Sequence, residues 1–458
     1  MPTFLSPNRP ARTRRTGRTE RAERAERAER PAHAGRTART VCATALVAVT
    51  AAVTAPVAAA QFAPAQPLIP GSPMQDPVAN MTEPNWSGLD VRETSALTGD
   101  LELPDTAGTA VKEVPLDTPM HMPDAALNQR FLYSTVDQHG EIAGATSAVY
   151  QPDGEAPEQG WPVIAWAHGT VGIGDDCTPS AGHRNDADYL NHWLSQGYAV
   201  VAPDYTGLGT PGLMSYFNGQ ATATSVVDAV VAAQSLDSTA GKLSTRWAVV
   251  GQSQGGGAAL HVAHDTAGRS ADAGLNYRGA VATGAPAYIE ELALVSGPSF
   301  PPVPLGGSIN AYLVYSIAGF RDAHPEIDVD SALTDEGRRI AHAAETPCLR
   351  ELRQALNATN IATAFSRPLA SVPGLERALR DYMATPTDGY DRPVFLGHGY
   401  TDIDVPSPIG LAMNSEVWIN QFTGSNEQVE VHSYPQDHSG TVWASTADSE
   451  PFLRRIFA

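Results

Sequence analysis

The sequence predicts an α/β fold in which a doubly wound, mostly parallel β-sheet is interrupted by one inserted helical cap subdomain. Short apolar segments alternate with segments of helical spacing, which is typical of buried parallel strands covered by helices on both faces. The alternation breaks once, between Gly284 and Asp391. That span of about 105 residues is too long for a connection inside a compact domain, so an insertion is expected there.

The strand predictions come from apolar and alternating runs bounded by turn residues. The first two strands are joined by a turn at Gln138, His139 and Gly140 and are expected to be antiparallel. Strands are predicted at residues 130–136, 142–151, 161–167, 198–203, 247–250, 278–283, 392–397 and 428–434. Helices are predicted at residues 221–236, 255–267, 408–422 and 451–457.

These elements divide the chain into five parts. Residues 126–284 and 391–458 are predicted to form the two halves of the sheet domain, and residues 285–390 a mostly helical cap or lid. Residues 61–125 are rich in Pro, Gly and Asp and are interpreted as an extended N-terminal arm. Residues 1–60 form a leader of different composition.

The leader has the order of a secretory signal peptide. An Arg-rich segment over residues 1–40 precedes an uncharged apolar run at residues 41–60, which ends on Ala58, Ala59 and Ala60. A basic region, an apolar region and small residues at a cleavage site are the parts of such a signal. We therefore predict a cleavable signal peptide and a secreted protein. An uncleaved N-terminal membrane anchor is the alternative.

Charge excludes one class of partner. The chain has 30 Lys and Arg against 50 Asp and Glu, a net charge of −20. Because the Arg-rich leader carries much of the positive charge, the remainder is more acidic still. Binding to nucleic acid through phosphate neutralisation is therefore not expected.

Cysteine usage agrees with export. Cys42 lies in the predicted signal, so Cys177 and Cys348 remain in the mature chain. An even pair in an exported protein predicts one disulfide, with two free buried thiols as the alternative.

Residues 251–255 (GQSQG) match the G-x-S-x-G pattern and lie between a predicted strand and a helix of small residues. A serine on such a strand–turn–helix is exposed as a nucleophile, and the flanking glycines let strand and helix approach closely. Ser253 is therefore the candidate nucleophile. A glycine-rich turn with an idle serine is the alternative.

A serine nucleophile needs a base that is itself oriented by an acid, and on this kind of sheet the acid and then the base follow in the chain. Asp402 follows the strand predicted at 392–397 and is preferred to Asp404 as the acid. His438 lies in a loop after the last strand and is preferred to His432, which lies within that strand.

The oxyanion that forms during acyl transfer needs preorganised donors. The backbone N–H of Gln254, directly after the serine, is the first candidate. The second is the N–H of Thr170, with its hydroxyl as an additional candidate, in the segment that follows strand 161–167. His168 in the same segment is expected only to support the loop.

Other motifs are not interpreted as sites. Residues 207–212 match G-x-G-x-x-G, but Pro211 interrupts them and no clear helix follows, so a dinucleotide site is not expected. His261 and His264 lie on one helical face without an apparent third ligand. We predict neither a cofactor nor a metal.

The chain resembles the secretory lipase family of α/β-hydrolases from fungi and actinobacteria. The resemblance covers about residues 120–458 and depends on several motifs and on the late His438: AHGTVG at 167–172 with Cys177 soon after, PDYTGLG at 203–209, GQSQGG at 251–256 and GHGYTDIDVP at 397–406. It implies an α/β-hydrolase fold, hydrolysis of acylglycerols without a cofactor, a helical cap over the acyl site and secretion. It also implies Ser253, Asp402 and His438 as the triad. Gln252 stands where the family often has Tyr.

We therefore predict a secreted serine ester hydrolase that acts on acylglycerols or other carboxylic esters, with transient contact to a lipid interface. The sequence leaves its oligomeric state open. One alternative is a short-chain carboxylesterase or a secreted serine peptidase of the same fold. Glu290 and Glu291 would be the acidic pair that such a peptidase uses to bind an amine. Another is a non-enzymatic envelope protein with a decayed site.

Overall fold

The structure, a computed structural model, describes residues 102–182, 184–299 and 306–458. The expected signal peptide and most of the expected arm lie outside these residues. The described part of the chain contains no helix long and apolar enough to cross a bilayer.

One nine-stranded sheet organises the described residues, in the order β1-β2-β3-β5-β4-β6-β7-β8-β9. Strands β1, β2, β3 and β5 pair antiparallel in succession, whereas β5, β4, β6, β7, β8 and β9 pair parallel. The mostly parallel sheet is therefore confirmed. The strands are β1 Ala110–Pro115, β2 Ala125–Val136, β3 Ile142–Pro152, β4 Trp161–Ala167, β5 Ala199–Pro203, β6 Leu243–Gln252, β7 Asn276–Thr283, β8 Val394–Gly399 and β9 Val429–Tyr434.

Helices cover both faces of the sheet, so it is doubly wound. Successive strand residues point to opposite faces: in β4, Val163 and Ala165 pack into one core, whereas Ile164 and Trp166 pack into the other. The helices are α1 Ala187–Ser195, α2 Gly219–Ala233, α3 Gln254–His261, α4 Gly268–Asp272, α5 Ile289–Leu294, α6 Gly307–Ala323, α7 Asp335–Ala343, α8 Leu349–Leu356, α9 Leu375–Met383, α10 Ser407–Phe422, α11 His438–Ala444 and α12 Thr446–Phe457. The cores against α1 and α12 and against α2 and α3 lie on opposite faces.

The differences from the predicted elements are local. Strand β1 lies inside the segment interpreted as an arm, and helices α1, α4 and α11 are not among the predicted helices. His438, expected in a loop, is the first residue of α11. The helix predicted at 255–267 is α3 followed by a π-helical turn at Val262–Thr266. Strand β1 is only partly buried and gains its hydrogen bonds from β2, so its own sequence pattern is weak.

The segment between β7 and β8 contains α5 to α9 among its described residues. A disulfide joins Cys177, in the loop after β4, to Cys348 at the start of α8. Gly172 forms an isolated antiparallel bridge with Cys348 beside it. The predicted disulfide is therefore present, and it attaches the inserted helices to the loop that follows β4.

Candidate active site

Ser253 lies at a sharp turn between β6 and α3. Its backbone has φ 58° and ψ −125°, a conformation that L-residues rarely adopt. A Cβ on Gly251 would lie 2.0 Å from the carbonyl oxygen of Gly255, and one on Gly255 would lie 1.9 Å from that of Ala167. Both glycines of the motif are therefore required by close backbone contacts. The turn is further held by the Ser253 N–H, which donates to the Thr283 oxygen at 2.9 Å.

His438 and Asp402 are in direct contact although they lie far apart in the sequence. Asp402 follows β8 and His438 begins α11; both are buried. The distance from His438 Nδ1 to Asp402 Oδ2 is 2.7 Å. The other carboxylate oxygen, Oδ1, accepts the backbone N–H groups of Asp404 at 3.0 Å and Val405 at 2.9 Å. Backbone donors thus hold Oδ1, and Oδ2 contacts the imidazole.

The choice between the two aspartates follows from their contacts. Asp404 does not hold the histidine; its Oδ1 accepts the hydroxyl of Tyr312, on α6, at 3.0 Å. His432 on β9 stacks against Phe395, with ring centroids 4.8 Å apart, and is not among the residues that line the cleft described below. The structure therefore brings Asp402 and His438 together. Asp404 also lines the cleft but contacts Tyr312 and not the imidazole, and His432 lies outside the cleft.

Ser253 and His438 line the same cleft, whose volume is about 2390 Å³. Among the described residues, no hydrogen-bond partner is found for the buried Nε2 of His438. With Nδ1 engaged by Asp402, this nitrogen is the one left for proton transfer. The ring lies against Gly284, where an added Cβ would be 2.9 Å from Cε1 and 3.0 Å from Nδ1.

The expected oxyanion donors lie beside the turn at Ser253, which is called the nucleophile turn below. Gln254 is the first residue of α3, and the first N–H groups of a helix lack an intrahelical partner. The loop with Gly169 and Thr170 packs on the same turn, because a Cβ on Gly169 would lie 3.3 Å from Ser253 Cβ and 2.5 Å from Gln252 Oε1. The Thr170 hydroxyl is 2.9 Å from that of Tyr216.

His168 supports this loop, as expected. Its Nδ1 is 2.7 Å from the carbonyl oxygen of Gly169, and its ring stacks on Tyr205 with centroids 4.3 Å apart. Burial lowers the pKa of His168, which favours the neutral ring. The Tyr205 hydroxyl donates to the His168 carbonyl at 2.9 Å.

Three residues near the site are not found by reasoning from the sequence. Tyr312 and Tyr216 approach it from α6 and from the segment before α2, and no local motif marks either. His398 lies at the end of β8, with its Nε2 3.1 Å from the Val405 carbonyl and 3.8 Å from the Asp402 carboxylate. Burial lowers the pKa of His398. Its position in the GHG of the 397–406 motif could have signalled a supporting role.

Other candidate motifs lie outside the site. Glu291 is paired with Arg380, and Glu290 is buried; neither lines the cleft, so they do not provide an amine-binding pair there. In the loop at 207–212, the Gly209 N–H donates to Asp175 Oδ1 at 3.0 Å, and no helix follows directly. Within the described ranges, no group of three His, Cys, Asp or Glu residues could hold a metal ion.

The fold defined by these elements is that of an α/β-hydrolase, and the solved structures that resemble it include the following two. Candida antarctica lipase A in its closed state has a TM-score of 0.62 and 19% identity, over 77% of this chain and 82% of that one. The rice cell wall degrading esterase LipA from Xanthomonas oryzae, in a ligand-bound form, has a TM-score of 0.60 and 19% identity, over 76% of this chain and 97% of that one. No curated protein matches the sequence.

The family described as secretory lipase has a model that matches residues 183–362. This range includes the nucleophile turn and most of the inserted helices, and it ends before β8. The resemblance expected from the motifs is confirmed by this match, which supports a carboxylic ester hydrolase of the lipase type.

Proposed function

We propose that the protein is a secreted serine lipase that hydrolyses acylglycerols and other carboxylic esters through Ser253, Asp402 and His438. The observation that carries the proposal is the 2.7 Å contact between His438 Nδ1 and Asp402, with Nε2 unpartnered among the described residues in the cleft that holds Ser253. A serine nucleophile requires an imidazole that is oriented through one ring nitrogen and can accept a proton at the other.

In the proposed first half-reaction, His438 Nε2 takes the hydroxyl proton while Ser253 Oγ attacks the ester carbonyl carbon. Asp402 keeps the proton on Nδ1 and stabilises the imidazolium. The tetrahedral intermediate then collapses, the alcohol leaves with the proton from Nε2, and an acyl-enzyme remains on Ser253. In the second half-reaction, His438 activates a water molecule, whose attack releases the carboxylic acid and restores the serine.

Backbone donors would stabilise the negative oxygen of each intermediate. We assign this role to the N–H groups of Gln254, directly after Ser253, and of Thr170, in the loop that packs on the turn at Ser253. Because their positions are set by α3 and by the loop that follows β4, they need little reorganisation during the reaction. Such donors are worth about 10²–10³-fold each in related chemistry.

The size of the cleft supports a bulky ester as substrate. Its volume of about 2390 Å³ exceeds the roughly 300–1,000 Å³ of sites for drug-sized ligands. Tyr312, Ile340 and Leu349 of the inserted helices are among the residues that line it. We therefore propose that residues 285–390 act as a cap over the acyl chain, and that long-chain esters are accepted as well as short ones.

The test compares p-nitrophenyl butyrate with p-nitrophenyl palmitate, using the purified protein and its Ser253→Ala variant. Hydrolysis of both esters, lost in the variant together with labelling by a fluorophosphonate probe, is the expected result. Hydrolysis of butyrate alone would indicate a short-chain carboxylesterase. If Ser253→Ala retained more than about a thousandth of the wild-type activity, the assignment of the nucleophile would be refuted.

Secretion is part of the proposal. The matched family is described as secretory, and residues 41–60 have the composition of a signal. N-terminal sequencing of protein recovered from the culture medium is expected to begin at Gln61. Retention of the intact chain in the membrane fraction would instead indicate an anchor.

A further inference from the structure

The reaction outlined above uses the backbone N–H of Thr170 but neither the Thr170 hydroxyl nor the Tyr216 hydroxyl with which it pairs. Thr170 lines the cleft and is half-buried, whereas Tyr216 has none of its surface exposed. Their hydroxyl oxygens are 2.9 Å apart. The geometry alone allows either hydroxyl to donate to the other, so the direction of this hydrogen bond has to be argued from the surroundings of each group.

The surroundings of Tyr216 hold its phenol in one position. Its ring contacts Phe217 and Tyr315, with centroids 4.1 Å and 5.4 Å away. Its carbonyl oxygen accepts the hydroxyl of Tyr382, on α9, at 3.0 Å. Burial raises the pKa of Tyr216 well above its ordinary value, so the phenol keeps its proton. A buried, protonated hydroxyl needs an acceptor.

Among the described residues, Thr170 Oγ1 is the one hydrogen-bond partner found for that phenol oxygen. A buried O–H without an acceptor costs about 1–3 kcal/mol. If Thr170 donated to Tyr216, the phenol proton would be left unpaired inside the protein. If Tyr216 donates to Thr170, the phenol proton has an acceptor. The hydroxyl proton of Thr170 can then be directed into the cleft.

We infer that Tyr216 donates to Thr170 Oγ1 and thereby directs the Thr170 hydroxyl proton towards the oxyanion, to which it adds a third hydrogen bond. Thr170 contacts the reacting oxygen, and Tyr216 acts as a positioning residue. Both hydroxyls keep their protons throughout, so only hydrogen bonds form and break. This inference rests on the proposed function, since it requires an oxyanion at Ser253.

Four variants test the inference: Thr170→Val, Thr170→Ser, Tyr216→Phe and the double variant Thr170→Val/Tyr216→Phe. Thr170→Val removes the hydroxyl but keeps the backbone N–H, and a loss of about 10²-fold in kcat is expected with little change in KM. Tyr216→Phe is expected to cost about 10-fold, because the threonine hydroxyl loses its preferred direction. Thr170→Ser should restore most of the kcat lost in Thr170→Val.

The double variant separates positioning from packing. Once the Thr170→Val change has removed the hydroxyl, Tyr216→Phe has nothing left to orient, so the double variant is expected to match Thr170→Val within about 2-fold. Independent effects that multiply in the double variant would overturn the role of Tyr216. A Thr170→Val kcat within about 2-fold of the wild type would overturn the third donor, even if Tyr216→Phe failed to fold.

An inhibitor provides a second measurement. An alkylboronic acid forms a tetrahedral adduct with an active-site serine, and its inhibition constant is expected to weaken in Thr170→Val in proportion to kcat/KM. Tyr277→Phe is the matched control, since Tyr277 is also a buried tyrosine but does not line the cleft; its kcat should not change. Ser253→Ala separates the two hypotheses: if it stays active, the proposed function fails, whereas an inactive Ser253→Ala beside an unaffected Thr170→Val refutes this inference alone.

Discussion

Gly284→Ala tests whether the position of the His438 ring determines the rate. Gly284 directly follows β7 and has φ +54°, in the left-handed region that favours glycine. Its N–H donates to the Gly397 oxygen at 2.9 Å, which fixes the backbone beside the imidazole. A methyl group added at this position would meet the ring directly.

The magnitude follows from the distances. The new Cβ would lie 2.9 Å from His438 Cε1, whereas ordinary van der Waals contact begins at 3.4 Å. The ring or the backbone must therefore move by about half an ångström, and a misplacement of about 1 Å can cost 10²-fold. We expect kcat to fall about 10- to 100-fold. The left-handed backbone adds a stability cost of about 1–2 kcal/mol.

Gly274→Ala is the matched control for that stability cost. Gly274 has φ +78°, but nothing lies within 4 Å of the added Cβ. Both variants should lose about 1–2 kcal/mol of unfolding free energy to the left-handed backbone in urea titrations, and Gly284→Ala should lose more because of the contact with His438. Only Gly284→Ala should lose kcat on p-nitrophenyl butyrate. Equal activity in the two folded variants would refute the argument that contact with Gly284 holds the imidazole in place.

Three further predictions follow from single contacts. Asp402→Asn should lower kcat about 10⁴-fold, because the carboxylate that orients His438 is lost. Asp404→Asn should lower kcat only a few-fold, since Asp404 contacts Tyr312 instead. If steady-state kinetics gave the larger loss for Asp404→Asn, the acid would be Asp404. Replacing Cys177 and Cys348 by Ser should lower the free energy of unfolding by up to about 5 kcal/mol, since the disulfide closes a loop with a separation of 171 residues; a loss below about 1 kcal/mol in urea titrations would contradict this. Burial raises the pKa of Asp175 from 3.8 to about 6, so the folded state binds its proton more tightly, and this residue reduces stability as pH rises from about 4 to 6. Asp175→Asn should therefore raise the Tm more at pH 7 than at pH 4, and an equal difference at both pH values would count against a titrating Asp175.

Much of the sheet can be predicted because its signals are local. Strand β4 has the bounds that the sequence predicts, since a continuous apolar run leaves few alternatives. Strand β1 escapes prediction because its residues are only partly buried and its hydrogen bonds come from β2. Helix α1 carries an apolar stripe that includes Tyr189, Leu190 and Trp193, so its pattern could have been recognised.

The sequence by itself predicts the turn at Ser253, because the strand, the turn and the helix around it are contiguous. Gly251 is required there by the nearby carbonyl of Gly255, whereas Gly255 is required by the carbonyl of Ala167 on β4. The sequence also placed an acid and a base after the later strands of a parallel sheet, whose carboxyl ends share one edge. Only the tertiary structure decided that Asp402 and His438 are the pair in contact. The choice between neighbouring aspartates depends on where α11 and α6 meet the β8 loop. The same holds for Tyr216, whose inferred role depends on its burial and on the 2.9 Å distance to the Thr170 hydroxyl. No local sequence pattern encodes the burial or the distance.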